Sequence, residues 1–129
     1  MSVIETNNNT VIKSVAVGAS PHALVFNPSN NNIYVTNRDS GTVSVIETNN
    51  NTVIKNVTVG SFPEQLLFNA NNKNIYVANV ISNSISVIDS KLNVVTRIIK
   101  LEALEDIALN PINMVLFYIV KYAVYYEPN

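Results

Sequence analysis

His22, in the stretch SPHAL (20–24), is the only histidine in a chain of 129 residues, and therefore the first side chain to consider for general acid–base work. Such chemistry needs a companion: a fixed carboxylate that orients the ring, or a hydroxyl that it activates. None stands beside it in sequence. One unit of sequence further along, Glu64 in SFPEQLL occupies the same place. The two are expected to form part of a polar ring around an opening that could take a small ligand or a cation. Arg38 and Asp39, in NRDSGT (37–42), are the other charged candidates for ligand contact on that rim. Asp-Ser-Gly is also ordinary turn chemistry, and the matching NVISNS (79–84) carries neither charge. Asn37 and Asn79 are expected to hydrogen-bond loop backbone.

His22, Arg38, Asp39 and Glu64 are thus candidates for rim binding, and no residue is assigned to catalysis, to a metal or to a cofactor. Cysteine is absent, which removes disulfides, thiol chemistry and thiolate-ligated metal. There is no metal-ligand spacing, nucleophile elbow or phosphate loop, and three glycines cannot build a Gly-rich nucleotide cradle. No cofactor is expected. The net charge of −1 comes from singly scattered residues, so no basic stripe marks a nucleic-acid site. Phe26, Phe68, Tyr34 and Tyr76 stand at core-like positions without interleaved arginines, which argues against stacking on single strands.

The elements that must position these residues come from a repeat. SVIETNNNTVIK (2–13) returns unchanged at 44–55, and Ser2, Ser44 and Ser86 open three copies of one motif, a period of 42 residues. FNPSNNNIYVTN (26–37) likewise returns as FNANNKNIYVAN (68–79). Inside a unit the pattern is of short strands. HALVF and QLLF are nearly continuous apolar runs, as expected of strands covered on both faces (strand A). NIYVTN and NIYVAN are aromatic and β-branched (strand B), TVSVIE alternates with period two (strand C), and TVIKSVAV closes the unit (strand D). NPSNNN, RDSG, TNNN and VGASP between them are turn letters, with asparagine supplying left-handed backbone and hydrogen bonds to its own turn. LEALEDIAL (101–109) has some helical spacing but aligns with the entry to strand A, so strand or irregular structure is expected there. Four short strands per unit, repeated without helices, predict an all-β chain of β-propeller blades, each a four-stranded antiparallel sheet, over a β-sandwich as the rival. About three blades' worth is present, as an incomplete ring: a half-blade at 1–18, blades at 19–60 and 61–102, and a degenerate half-blade at 103–129.

At IYVTN (33–37) and IYVAN (75–79), within VGASPHALVFNPSNNNIYVTNRDSGTVSVIET (17–48), the sequence resembles the YVTN-type β-propeller repeat family of surface-layer and secreted proteins. The resemblance covers about residues 2–110 and fades after Pro111. It implies a scaffold for interaction or adhesion at a cell surface or outside the cell, with a protein or surface glycan as partner. Related propellers include lactonase-like enzymes, so a fragment of such an enzyme, or an inactive truncated product, is the alternative. The chain as given shows no secretory signal and no apolar run near the roughly 18 residues of a membrane helix.

The chain is expected to be a piece of a longer propeller, with self-association through its half-blades as the other way to complete a ring. The third unit departs from the pattern: SKLN (90–93) replaces the asparagine triplet, where order is expected to fail. Glu102 then replaces Gly60, the counterpart of Pro63 is missing, and LFYIVKYAVYYEPN (116–129) leaves the pattern altogether. Asn8, Asn50 and Asn56 begin N-x-T sequons and are candidates for N-glycosylation.

Overall fold

Left-handed residues and side-chain caps decide where each strand stops. In the computed structural model, which describes residues 1–120, twelve strands follow one another with no helix among the described residues. β1 (Ser2–Glu5) and β2 (Thr10–Ser14) form a two-stranded sheet. β3 (Pro21–Asn27), β4 (Asn32–Asn37), β5 (Thr42–Glu47) and β6 (Thr52–Thr58) form a four-stranded antiparallel meander. A second meander joins β7 (Pro63–Phe68), β8 (Asn74–Asn79), β9 (Ser84–Asp89) and β10 (Val94–Lys100). β11 (Leu104–Leu109) and β12 (Leu116–Val120) form the last pair. The sheets run A–B–C–D in sequence order, and LEALEDIAL supplies β11 as a strand A. Part of the C-terminal stretch, residues 121–129, lies outside the described residues.

The asparagines have two separate jobs. In each A–B turn, Asn27, Asn69 and Asn110 accept the backbone N–H two residues on through Oδ1, at 2.9 Å in all three copies. Asn30, Asn72 and Asn113 do the same for the N–H of Asn32, Asn74 and Val115, at or just before the start of the next strand, at 3.0, 3.0 and 3.1 Å. The residue between takes a left-handed backbone: Asn31, Lys73 and Met114, with φ of 59°, 62° and 58°. In the C–D turns the cap is instead the acid that ends strand C. Glu5, Glu47 and Asp89 accept the N–H of Asn7, Asn49 and Lys91, and Asn9, Asn51 and Asn93 are left-handed. SKLN therefore keeps the turn, contrary to expectation, because Asp89 and Asn93 are the two residues the turn uses. Asparagine tolerates this backbone at little cost, whereas Met pays for its Cβ clash. Met114→Asn is expected to stabilise the fold by about 0.5–1 kcal/mol, read as a higher urea midpoint at unchanged slope.

Apolar side chains on the facing sides of neighbouring sheets are buried by stacking. Tyr34, Val43, Val45 and Val57 of the first full sheet pack on Leu66, Ile75, Val77 and Ile88 of the second. Val35 and Ile46 turn the other way, onto Val15, Met1 and Val3. Ala78 and Ile85 meet Leu104 and Ile107 of the last pair. The inner strands β3, β7 and β11 lie side by side. Phe26 corrects the expectation of a core position: it is 47% exposed and Leu24 57%, whereas their repeat partners differ, Phe68 being half-buried and Leu66 2% exposed. Phe26 and Leu24 face the side where a preceding strand B would lie, and the β1–β2 pair supplies strands C and D alone.

Tyr34 ties the two full sheets together. Its hydroxyl donates to Asn93 Oδ1 at 2.6 Å and accepts from Asn30 Nδ2 at 3.1 Å. Desolvation by burial raises its pKa above the ordinary 10.0, with hydrogen bonds from neighbours working against that rise. The unfolded chain therefore gives up this proton first. Stability linked to Tyr34 is fully present below pH 10 and is lost as pH rises through the folded-state value. Alkaline denaturation followed by circular dichroism should be shallower in Tyr34→Phe, which has no proton to lose.

The outermost strands share one further device. Opposite strand C, Ile12, Ile54 and Thr96 are skipped in the ladder, and each is followed by a cation, Lys13, Lys55 and Arg97. A bulge with an adjacent charge makes a poor template for another strand.

Candidate functional site

The rim opposite the asparagine turns is built from B–C and D–A loops strapped to one another. Arg38 N–H donates to Ser20 O at 2.9 Å, and Val80 N–H donates to Phe62 O at 3.1 Å. Ser40 Oγ accepts Ala19 N–H at 2.6 Å, and Ser82 Oγ accepts Ser61 N–H at 2.8 Å. Beneath the straps, the buried Asn37 and Asn79 act on side chains and not on loop backbone as expected. Asn37 Nδ2 donates to Thr42 Oγ1 and Ser44 Oγ at 3.1 and 2.9 Å, and Ser44 donates to Asn56 Oδ1 at 2.7 Å. Asn79 repeats the arrangement on Ser84 and Ser86. Hydroxyls two residues apart on strand C face the same side of the sheet, which is why the asparagine that ends strand B reaches both.

Arg38 lies over the Phe62 ring, 4.1 Å from its centroid, and pairs with Glu64 at 3.7 Å. Asp39 accepts from Ser20 Oγ. The structure thus joins three of the four rim candidates across two blades: the B–C loop of one carries Arg38 and Asp39, and strand A of the next carries Glu64. Glu64 is held in place through its carbonyl, which accepts from the buried Thr36 Oγ1 at 2.7 Å. A groove of about 540 Å³ runs along these loops, lined by Arg38, Asp39, Ser40, Ser61, Phe62 and Ser82 among others.

His22 sits in strand β3 and opens onto a second cleft, of about 390 Å³, shared with Glu64, Gln65, Glu105, Asp106 and Ile119. Glu105 and Asp106 were missed by reading a constant period. The loop between β10 and β11 is one residue shorter than its predecessor, and the left-handed positions show it: Ser20 to Phe62 is 42 residues, but Phe62 to Ala103 is 41. With that deletion, Glu105 falls on the place of Glu64 and His22, one per inner strand. No group of three or more His, Asp or Glu among the described residues is arranged to hold a metal ion. The sequon residues Asn8, Asn50 and Asn56 are all exposed, and Asn8 Oδ1 accepts from Thr10 Oγ1 at 2.7 Å. No helix of the described residues is long and apolar enough to cross a membrane.

Four-stranded antiparallel sheets, each a meander, stacked face to face with their first strands side by side, define a β-propeller; the described strands do not close its ring. Solved structures agree, the first two of them β-propeller proteins. Hydrazine synthase of Kuenenia stuttgartiensis is similar with 30% identity and a TM-score of 0.68, over 74% of this chain and 28% of that one. Dihydro-heme d1 dehydrogenase NirN, in complex with DHE, shares 14% identity and a TM-score of 0.74, over 84% of this chain and 25% of its own. A protein of unknown function from Bacteroides caccae shares 17% identity and a TM-score of 0.60, over 78% of this chain and 38% of that one. The chain therefore spans about a quarter of the first two. No family model matches the sequence, and no curated protein is matched by it.

Proposed function

We propose that this protein is a non-catalytic interaction module of the YVTN-type propeller repeat family, working at a cell surface or outside the cell. Its partner is a protein or a surface glycan, engaged by the strapped rim. The observation that carries this reading is the groove of about 540 Å³ between neighbouring loops. Loops held by a rigid sheet are where propellers and other β-scaffolds place binding residues. This groove offers one cation stacked on an aromatic ring, one carboxylate and several hydroxyls, a mixture suited to sugar hydroxyls and peptide polar groups. The repeated IYVTN and IYVAN strands beneath it support the family assignment.

The test is immobilised protein probed with arrays of surface glycans and extracellular-domain proteins. Saturable binding is expected, weakened about tenfold by Arg38→Ala or Asp39→Ala and unchanged by Lys91→Ala on the opposite face. Binding indifferent to both rim substitutions, or none, overturns the proposal. The His22 cleft favours a second reading, a fragment of a lactonase-like enzyme. Lactone hydrolysis that requires a divalent metal and is lost in His22→Ala would put that reading first.

A further inference from the structure

We infer that two copies of this chain complete one another, β12 of each pairing with β1 of the other to make two whole blades from four half-blades. The observation is a set of side chains that are exposed only where a repeat partner is absent. Ile46 and Ile88 are 1% and 0% exposed, yet Ile4, at the same place in β1, is 56% exposed. Leu24 is 57% exposed where Leu66 is 2%. At the other end Phe117, Tyr118 and Ile119 of β12 are 57%, 48% and 61% exposed, where Val77 and Ala78 of β8 are fully buried. Both ends thus carry an open apolar face.

The occupant is specified by strand type. In both full sheets strand C pairs with strand B: Ile75↔Ile88, Tyr76↔Val87 and Val77↔Ser86 in one, and Ile33↔Ile46, Tyr34↔Val45 and Val35↔Ser44 in the other. Among the described residues, β1 is a strand C paired with its strand D and with no strand B, and β12 is a strand B paired with its strand A and with no strand C. The chain's two open edges are therefore the two halves of one ladder. Copying the register gives Leu116↔Ile4, Phe117↔Val3 and Tyr118↔Ser2 between copies. Phe117 would then lie over Leu24 and Phe26 as Tyr34 lies over Leu66, and Ile4 would be buried against the partner's second full sheet as Ile46 is against the β1–β2 pair.

The edges are also chemically prepared for pairing. Every strand D carries a skipped residue and a cation on its ladder, whereas β1 and the described β12 carry neither a bulge of their own nor a cation. Two such contacts, related by a two-fold axis, leave neither the β1 nor the β12 edge unpaired and give six blades, within the four to eight or so of closed propellers.

The experiment uses the 129-residue chain. Sedimentation equilibrium is expected to show twice the 14.2 kDa of one chain. Ile4→Lys, at a position already half exposed, should keep the β-sheet circular dichroism of the parent and raise the dimer dissociation constant by about 100-fold, since a lone ammonium would be buried in the contact. In the double variant Ser2→Cys/Tyr118→Cys, oxidation should link the thiols of two different chains into a closed pair, in a protein that otherwise has no cysteine. A monomer at all concentrations overturns the inference, whether a longer form of the chain or another partner supplies the strand. So does a dimer indifferent to Ile4→Lys, or one in which the two thiols fail to cross-link.

Discussion

Tyr34→Ala is expected to destabilise the fold by about 4 kcal/mol, a large part of the roughly 5–15 kcal/mol that holds a domain of this size. Two losses combine. The ring is fully buried at the centre of the cluster between the two full sheets, so its removal leaves a cavity lined by Leu66, Ile75 and Val77. The hydroxyl also ends the cluster in a polar contact with Asn93 and Asn30, and these partners would lose a hydrogen bond. Tyr34→Phe separates the terms: it keeps the packing and should cost only about 1–2 kcal/mol. Urea unfolding of the three chains checks this. Equal losses in the two variants would mean that the hydroxyl, and not the ring, holds the sheets together.

The second large effect is expected at Gly60→Ala. A Cβ built there would stand 2.4 Å from Ser82 Oγ, 2.7 Å from Asn79 Cγ and 2.8 Å from Asn79 Cβ. Asn79 cannot retreat, because it is fully buried and its Nδ2 is committed to Ser84 and Ser86. Overpacking of this kind costs about 2–3 kcal/mol. It should also loosen the strap in which Ser82 Oγ takes the N–H of Ser61. Thermal unfolding with hydrogen exchange at Ser61 tests both parts. Protection there equal to the parent's would refute the steric account.

Strand identity was legible because it rests on period and on turn letters, both local. The parse of NIYVTN as strand B and TVSVIE as strand C required no knowledge of neighbours. Burial is not local in this fold. Phe26 reads like a core residue from its own strand, and whether it is covered depends on a strand B that would belong to another blade. The rim asparagines failed for a related reason: Asn37 was read as a backbone cap, but a fixed register puts Thr42 and Ser44 within its reach, and that register is a property of the pair of strands. Glu105 and Asp106 were hidden by arithmetic. One residue deleted from a loop shifts every later position, and the period gives no warning; the shift shows in where the left-handed residue falls. SKLN was misjudged because the triplet, and not the acid before it, was taken as the turn's essential part.

The guarded strand D edges have a consequence best put in the vocabulary of polymerisation. With Lys13, Lys55 and Arg97 beside the bulges of the outer ladders, the inferred pairing uses two edges of the described strands, those of β1 and β12. A difunctional monomer whose ends are complementary cyclises when dilute and grows linearly when concentrated, and it cannot branch or gel. In the pairing inferred above, growth is confined to the β1 and β12 edges, and the guarded outer strands take no part in it.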